Sequence, residues 1–278
     1  MIKNILVGYG GSRGAQVALS QAVEIARASQ ARIHLTLVET LAGGQEAQLV
    51  DSPSPESFVV SAACEQQPGE ESEAGAGPSP LLEEAAALLR EEGITYTLAH
   101  YFGDPAARLL QLSRVADLVV VGRRGDERRL RQGVLGRTAH RLAVQAITPT
   151  LFTDREHLPL TSATLLYEPR PAGGRALVAA GEICSLLNIT LNVVATSHGR
   201  IDAGAAQAEA RFALRAYHLE GELVIGGDFA TEALQNAAMV WGDPLLVVPG
   251  PPRRLVFADY STLRAAVSAP NANVLLVP

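Results

Sequence analysis

The chain predicts an α/β fold made of two tandem Rossmann-like units, each a five-stranded parallel sheet flanked by helices. Three observations predict it. Apolar runs such as Ile5-Leu6-Val7 and Leu118-Val119-Val120-Val121 end in glycine turns and lead into helical sequence, the signature of buried parallel strands feeding helices. Strands and helices then alternate, which implies right-handed crossovers. Finally, the pattern of the first half recurs in the second.

In the first unit the order reads strand 2–8, helix 14–29, strand 32–39, helix 80–92, strand 94–101, helix 104–115, strand 117–122, helix 136–146 and strand 149–153. The first strand turns through Gly8-Tyr9-Gly10-Gly11-Ser12, and the fourth through Gly122-Arg123-Arg124-Gly125 with Gly133 and Gly136 beyond. Two such turns side by side are what an open sheet needs to hold an anion at its switch point. Residues 41–79 form a Gly/Pro/Ser-rich insertion with seven acids (Glu46, Asp51, Glu56, Glu65, Glu70, Glu71, Glu73) and no basic residue. A break at 154–161 reads as a linker, and the second unit starts near 162, with a shortened third strand near 222–226.

The repeat is visible residue by residue. Tyr9, Ala18, Leu19, Ala22, Ile25 and Ala26 map onto Tyr167, Ala176, Leu177, Ala180, Ile183 and Cys184 at a spacing of 158. These positions share one helix face, so both copies present the same apolar stripe. The final strands, Pro149-Thr150-Leu151-Phe152 and Asn273-Val274-Leu275-Leu276, match at a spacing of 124. The lost 34 residues are about the length of the acidic insertion, which places it in the first copy alone.

Hydrophobic residues make up 47% of the 278 positions, which fits packed layers rather than disorder. No apolar stretch reaches the roughly 18 residues a membrane span needs, and no signal peptide is expected at the start. Cys64 and Cys184 form neither CxxC nor metal spacing, so free thiols and a cytoplasmic setting are expected. A net charge of −6 argues against nucleic-acid affinity. Lys3 is the only lysine, and seven arginines (Arg123, Arg124, Arg128, Arg129, Arg131, Arg137, Arg141) crowd the segment around the second glycine turn. That cluster reads either as a solvated helix face or as a docking surface for an acidic partner. The acidic insertion reads either as an inert tract or as a lid over the arginines.

The opening Ile-Leu-Val-Gly-Tyr-Gly-Gly-Ser, the Gly103-Asp104-Pro105 step, the Ala-Asp-Leu-Val-Val-Val-Gly of 116–122 and the glycine loop after it resemble the universal stress protein family, here in tandem form over nearly the whole chain. The resemblance implies sheets of strand order 3-2-1-4-5, a first domain at 1–153 and a second, degenerate one at 162–278. It implies that the two domains pack as an internal pseudo-dimer through their last strands; a homodimer of whole chains stays open. Some members bind ATP through Gly, two residues, Gly, nine residues, Gly and Ser or Thr. By position this carries over to Gly122, Gly125 and Gly136, with ten residues before the last glycine, Arg137 in the Ser/Thr place and Thr138 one later. Gly8, Tyr9, Gly10 and Arg123 complete the candidate nucleotide site, and Val38 would line the adenine slot. ATP-binding relatives carry Asp where this chain has Gly10. In the second copy Gly250 is followed by Pro251-Pro252 and no later matching glycine, so that crevice is expected to be empty.

Backbone amides at such turns, a helix N-terminus and arginines suit phosphate oxygens; the same glycines also serve plain strand-to-helix turns. No GxxxxGKS, HExxH or GxSxG occurs, and the six histidines are scattered. The implied function is a non-catalytic stress-response protein whose first domain binds ATP or a related adenine nucleotide, with Mg²⁺ arriving on it, and so regulates an unidentified protein partner. The alternative is a nucleotide-independent interaction module working through the arginine loop or the acidic insertion.

Overall fold

A computed structural model describes residues 2–40, 60–61 (backbone only), 79–124, 135–251, 260–269 and 271–278. The first unit runs β1 (Asn4–Gly8), α1 (Arg13–Ser29), β2 (Arg32–Glu39), β3 (Val60–Ser61), α2 (Pro80–Glu91), β4 (Tyr96–Phe102), α3 (Pro105–Leu112), β5 (Leu118–Gly122), α4 (Arg137–Gln145) and β6 (Thr150–Thr153). The second runs β7 (Ser162–Tyr167), α5 (Pro171–Leu187), β8 (Thr190–Thr196), α6 (Ala203–Leu214), β9 (Leu223–Gly227), α7 (Ala230–Trp241), β10 (Leu245–Pro249), α8 (Ser261–Ser268) and β11 (Asn273–Val277). Short 3₁₀ turns follow α3 and α6.

These strands form one sheet in the order β3-β4-β2-β1-β5-β6-β11-β10-β7-β8-β9. Counted within each unit, both halves follow the expected 3-2-1-4-5 order, and all pairs inside that pattern are parallel. Two antiparallel pairs lie outside it. β3, within the insertion, adds to the edge of β4, a strand the sequence reading did not assign. β6 pairs with β11 across the junction, with Leu151 opposite Leu275, Phe152 opposite Val274 and Thr150 opposite Leu276. Leu151 and Leu275 are repeat equivalents, so a pseudo-two-fold axis runs through that pair, the arrangement of an isologous interface.

Helices cover both faces. On one, α1, α2, α5 and α6 bury alanine-rich stripes, with Ala18, Ala22, Ala176 and Ala180 all fully buried. On the other, α3, α4, α7 and α8 pack against Leu6, Val119, Val121, Phe152, Val248 and Val274. The small stripe side chains let helix and sheet approach closely, and β5, β10 and β11 read as unbroken apolar runs because both of their faces are covered. The repeat also fixes helix ends. α1 stops at Gln30 and α5 at Asn188, both left-handed at φ 53°. Ser12 caps α1 by accepting from the Ala15 amide, whereas Arg170 stands at the same place before α5 and makes no such cap.

The 154–161 segment carries neither helix nor strand. It is nonetheless packed. Leu160 is buried, its amide donates to the Glu24 carboxylate of α1 at 3.0 Å, and the Asp154 amide donates to Asn273 of β11 at 3.1 Å.

Candidate functional site

The chain leaves β1 toward β2 on one side and later places β5 on the other, so the switch point of the first unit lies between β1 and β5. Their C-terminal ends carry the two glycine turns. Among the described residues, a side chain at Gly10 would meet nothing within 4 Å. Gly11 has φ +70° and lies against Leu81 of α2, a left-handed position that suits glycine. Gly8 is tightly covered: a Cβ would lie 2.8 Å from Leu109 and 3.0 Å from Val121.

Gly122 is glycine for a packing reason that sequence reading missed. A Cβ there would lie 2.7 Å from the backbone carbon of Gly14, and a Cβ on Gly14 would lie 2.6 Å from the Arg124 carbonyl oxygen. The start of α1 thus presses backbone to backbone against the end of β5. The available signal was Gly14 itself, a glycine in the first turn of a helix where a better helix former is usual.

Gly136 is the N-cap of α4 and brings no side chain of its own to that end. Its amide donates to the Arg123 carbonyl at 2.7 Å, which closes the stem of the glycine loop. The amides of the first turn have no intrahelical partners, so they and the positive end of the helix dipole suit an anion. Arg137 is exposed beside them, and Thr138 is half-buried. Val38 is half-buried near the end of β2, on the strand face opposite the core residues Leu35 and Leu37.

Two candidate residues point elsewhere. Tyr9 is only 5% exposed, inside the cluster that holds Leu37 and Leu82; burial first and the nearby Glu84 second push its phenol above the ordinary value. Arg123 is 4% exposed and leaves the expected cationic patch altogether. Its guanidinium donates to the Val267 carbonyl of α8 at 2.6 Å and meets Asp154 at 3.4 Å. Burial pulls its pKa down, and the Asp154 carboxylate opposes that. Arg141 is likewise engaged, with Asp104 at the N-terminus of α3. His140 is exposed on α4. Gly125, Gly133, Arg128, Arg129, Arg131, Cys64 and most of the acidic insertion lie outside the described residues.

The turn at Gly10 and the start of α4 with Arg137 beside it therefore suit an anion. No carboxylate stands at Gly10 to take the ribose. Among the described residues, no cluster of three or more His, Cys, Asp or Glu could hold a metal ion. A groove of about 660 Å³ lies away from this site, between α1, α2, α5 and the linker. Its rim groups are already committed, Glu24 to Gln21 and the Leu160 amide and Arg27 to Glu92.

In the second unit the equivalent crevice is crossed by its own side chains. Arg170 donates to the Gly250 carbonyl at 2.9 Å and forms a two-point contact with Glu168 at 3.0 and 2.7 Å. By the repeat spacing Glu168 stands where the first unit has Gly10. Its carboxylate is held by Arg170 beside the end of β10.

The Universal stress protein family model matches residues 1–153. Among solved structures, a universal stress protein from Archaeoglobus fulgidus superposes with a TM-score of 0.72 at 12% identity, covering 99% of this chain and 97% of its own. A functionally unknown protein from Pseudomonas aeruginosa gives 0.62 at 19% identity, with 99% and 92% covered. Both show a shared fold over the full length. No curated protein matches the chain.

Proposed function

Because the chain belongs to the universal stress protein family, we propose that it is a non-catalytic stress-response protein whose first unit, residues 1–153, binds ATP or a related adenine nucleotide and thereby regulates a protein partner. The observation that carries this is the juxtaposition of the Gly10 turn and the N-terminus of α4, whose N-cap is a glycine, at the β1/β5 switch point. In this reading Gly8, Gly10, Gly122 and Gly136 keep the backbone close to the phosphates, with Gly125 completing the spacing. Arg137 and Thr138 donate to them, Val38 flanks the base, and Mg²⁺ accompanies the nucleotide. Each charge-assisted contact contributes about 1.5–3 kcal/mol where water is excluded. Tyr9 and Arg123 act as scaffold.

The second unit, residues 162–278, is in this reading an empty scaffold that takes the place of a partner subunit, making an internal pseudo-dimer in a cytoplasmic protein. The Glu168–Arg170–Gly250 contact across its crevice supports this. A calorimetric titration with ATP, with and without Mg²⁺, tests the assignment on wild type and on a Gly125→Val, Gly136→Val double variant. One saturating site per chain, lost in the folded variant, is the expected result; two sites would refute the empty second unit. A second reading, a nucleotide-independent interaction module, is favoured by Gly10 and by Arg137 at the Ser/Thr place. It becomes the leading one if millimolar ATP gives no heat.

A further inference from the structure

We propose that Arg123 is a positioning residue through which the second unit holds the glycine-loop stem of the first, by a contact that the repeat equivalent of Arg123 cannot return. Four contacts converge on it. Its amide donates to the Thr153 carbonyl of β6 at 3.0 Å, and its carbonyl accepts from the Gly136 amide at 2.7 Å. Its side chain donates to Val267 in the last turn of α8 and meets Asp154. The guanidinium is thus a cation on the negative end of a helix that belongs to the other unit. It is buried. Among the described residues its Nε has no hydrogen-bond partner. Burying an arginine this way is costly unless its contacts hold, so the loop stem, α8 and Asp154 are pinned as a set.

The pinning continues into the junction. Asp154 donates its amide to Asn273, Asn273 donates to the fully buried Gln21 at 2.6 Å, and Gln21 donates to Glu24 at 2.8 Å. Stem, linker, β11 and α1 therefore share one hydrogen-bonded path.

The repeat shows why the effect has a direction. The Gly250 amide donates to Val277 at 2.6 Å, the same contact that Arg123 makes with Thr153, so Gly250 is the repeat equivalent of Arg123. α8 is likewise the equivalent of α4. A symmetric pair would send a second arginine from position 250 to α4. Glycine has no side chain to send, so the second unit grips the loop of the first and this grip is not returned from position 250. Two like units thereby become a holder and a held loop.

Hydrogen exchange on the full-length chain without nucleotide tests this, comparing wild type with Arg123→Met and Arg123→Lys. Methionine keeps most of the volume but makes no bond; lysine reaches one acceptor at a time. In R123M the amides of residues 136–140 and of 265–269 should both exchange about tenfold faster or more, the loss of one charge-assisted bond. Those of α2 and α6 should stay unchanged, and R123K should restore part of the protection. Asp154→Asn, which keeps the shape, should give a smaller change in the same two segments and serves if R123M does not fold. Faster exchange at only one of the two segments, or uniformly across the chain, would overturn the proposal. ATP titration of the same variants forms a separate arm, resting on the nucleotide reading: weaker binding in R123M extends the grip to ligand affinity, and a wild type that binds no ATP sinks that reading while the exchange result still decides this one.

Discussion

At the scale of single residues, close backbone contact governs this site as much as ligand chemistry does. Gly122→Ala would drive a methyl into the backbone of Gly14, which no side-chain rotation relieves. It should cost about 1–3 kcal/mol, read as a lower urea midpoint at unchanged slope. Gly10→Ala meets none of the described residues and should leave stability within about 0.5 kcal/mol of wild type. Equal effects from the two would contradict the packing account. His34 supplies a pH test. Burial first and the Arg32 charge second hold its imidazole below the ordinary 6.5, while its ring nitrogens meet Thr97 at 2.7 Å and Asn4 at 3.3 Å. The unfolded chain then binds more protons than the folded one between that lowered value and 6.5. The stabilisation is complete above 6.5, is lost as pH falls through this window and levels off below it. In His34→Gln that slope in the urea midpoint should vanish; an unchanged slope would assign the effect elsewhere.

At the scale of elements, each unit ties the lower end of its sheet with an aspartate, by different means. Asp117 accepts the Lys3 and Asn4 amides at 2.8 and 2.9 Å. Asp243, 5% exposed, accepts from Ser162 at 2.5 Å, Thr164 at 2.6 Å and Asn192 at 2.9 Å, so it staples β7 and β8 beside β10. Asp243→Ala leaves those donors without their acceptor, at roughly 1–3 kcal/mol for each one left buried and unsatisfied, and should unfold at clearly lower urea. Burial first and the same carboxylate second push the neighbouring Cys184 thiol up to about 12. Thiol reagents at neutral pH should therefore label Cys184 only on unfolding, which mass spectrometry of the modified peptide reads directly. Rapid labelling in the native protein would show that the α5 stripe opens.

At the scale of the whole molecule, the antiparallel β6–β11 pair turns two parallel sheets into one. Because Leu151 faces its own repeat equivalent, residues 1–153 expressed alone would present β6 as a bare, self-complementary edge. Sedimentation of that fragment should show a dimer in which a second β6 replaces β11; a stable monomer at micromolar concentration would argue against it. In the intact chain the linker holds the partner sheet in place, so pairing costs no association entropy.

The sequence by itself determined what is local or periodic. Apolar runs fixed strands, the i, i+3, i+4 stripes fixed helix faces, the repeat spacing of 124 foretold the equivalence of Leu151 with Leu275, and the family resemblance implied the 3-2-1-4-5 order. It also marked the glycine turns, since a glycine after an apolar run is visible in one dimension. Tertiary structure alone decided what each marked residue touches. Arg123 looked like one more surface cation, and only packing carries it 144 positions along the chain to Val267. Gly122 looked like a ligand contact, and its nearest neighbour is the backbone of Gly14. Asp154 looked like a linker residue, and it joins two units. The physical reason is common to all three. Propensity and hydrophobic period act over a few residues, while burial of a charge or close approach of two backbones depends on atoms that meet only after the sheet is assembled.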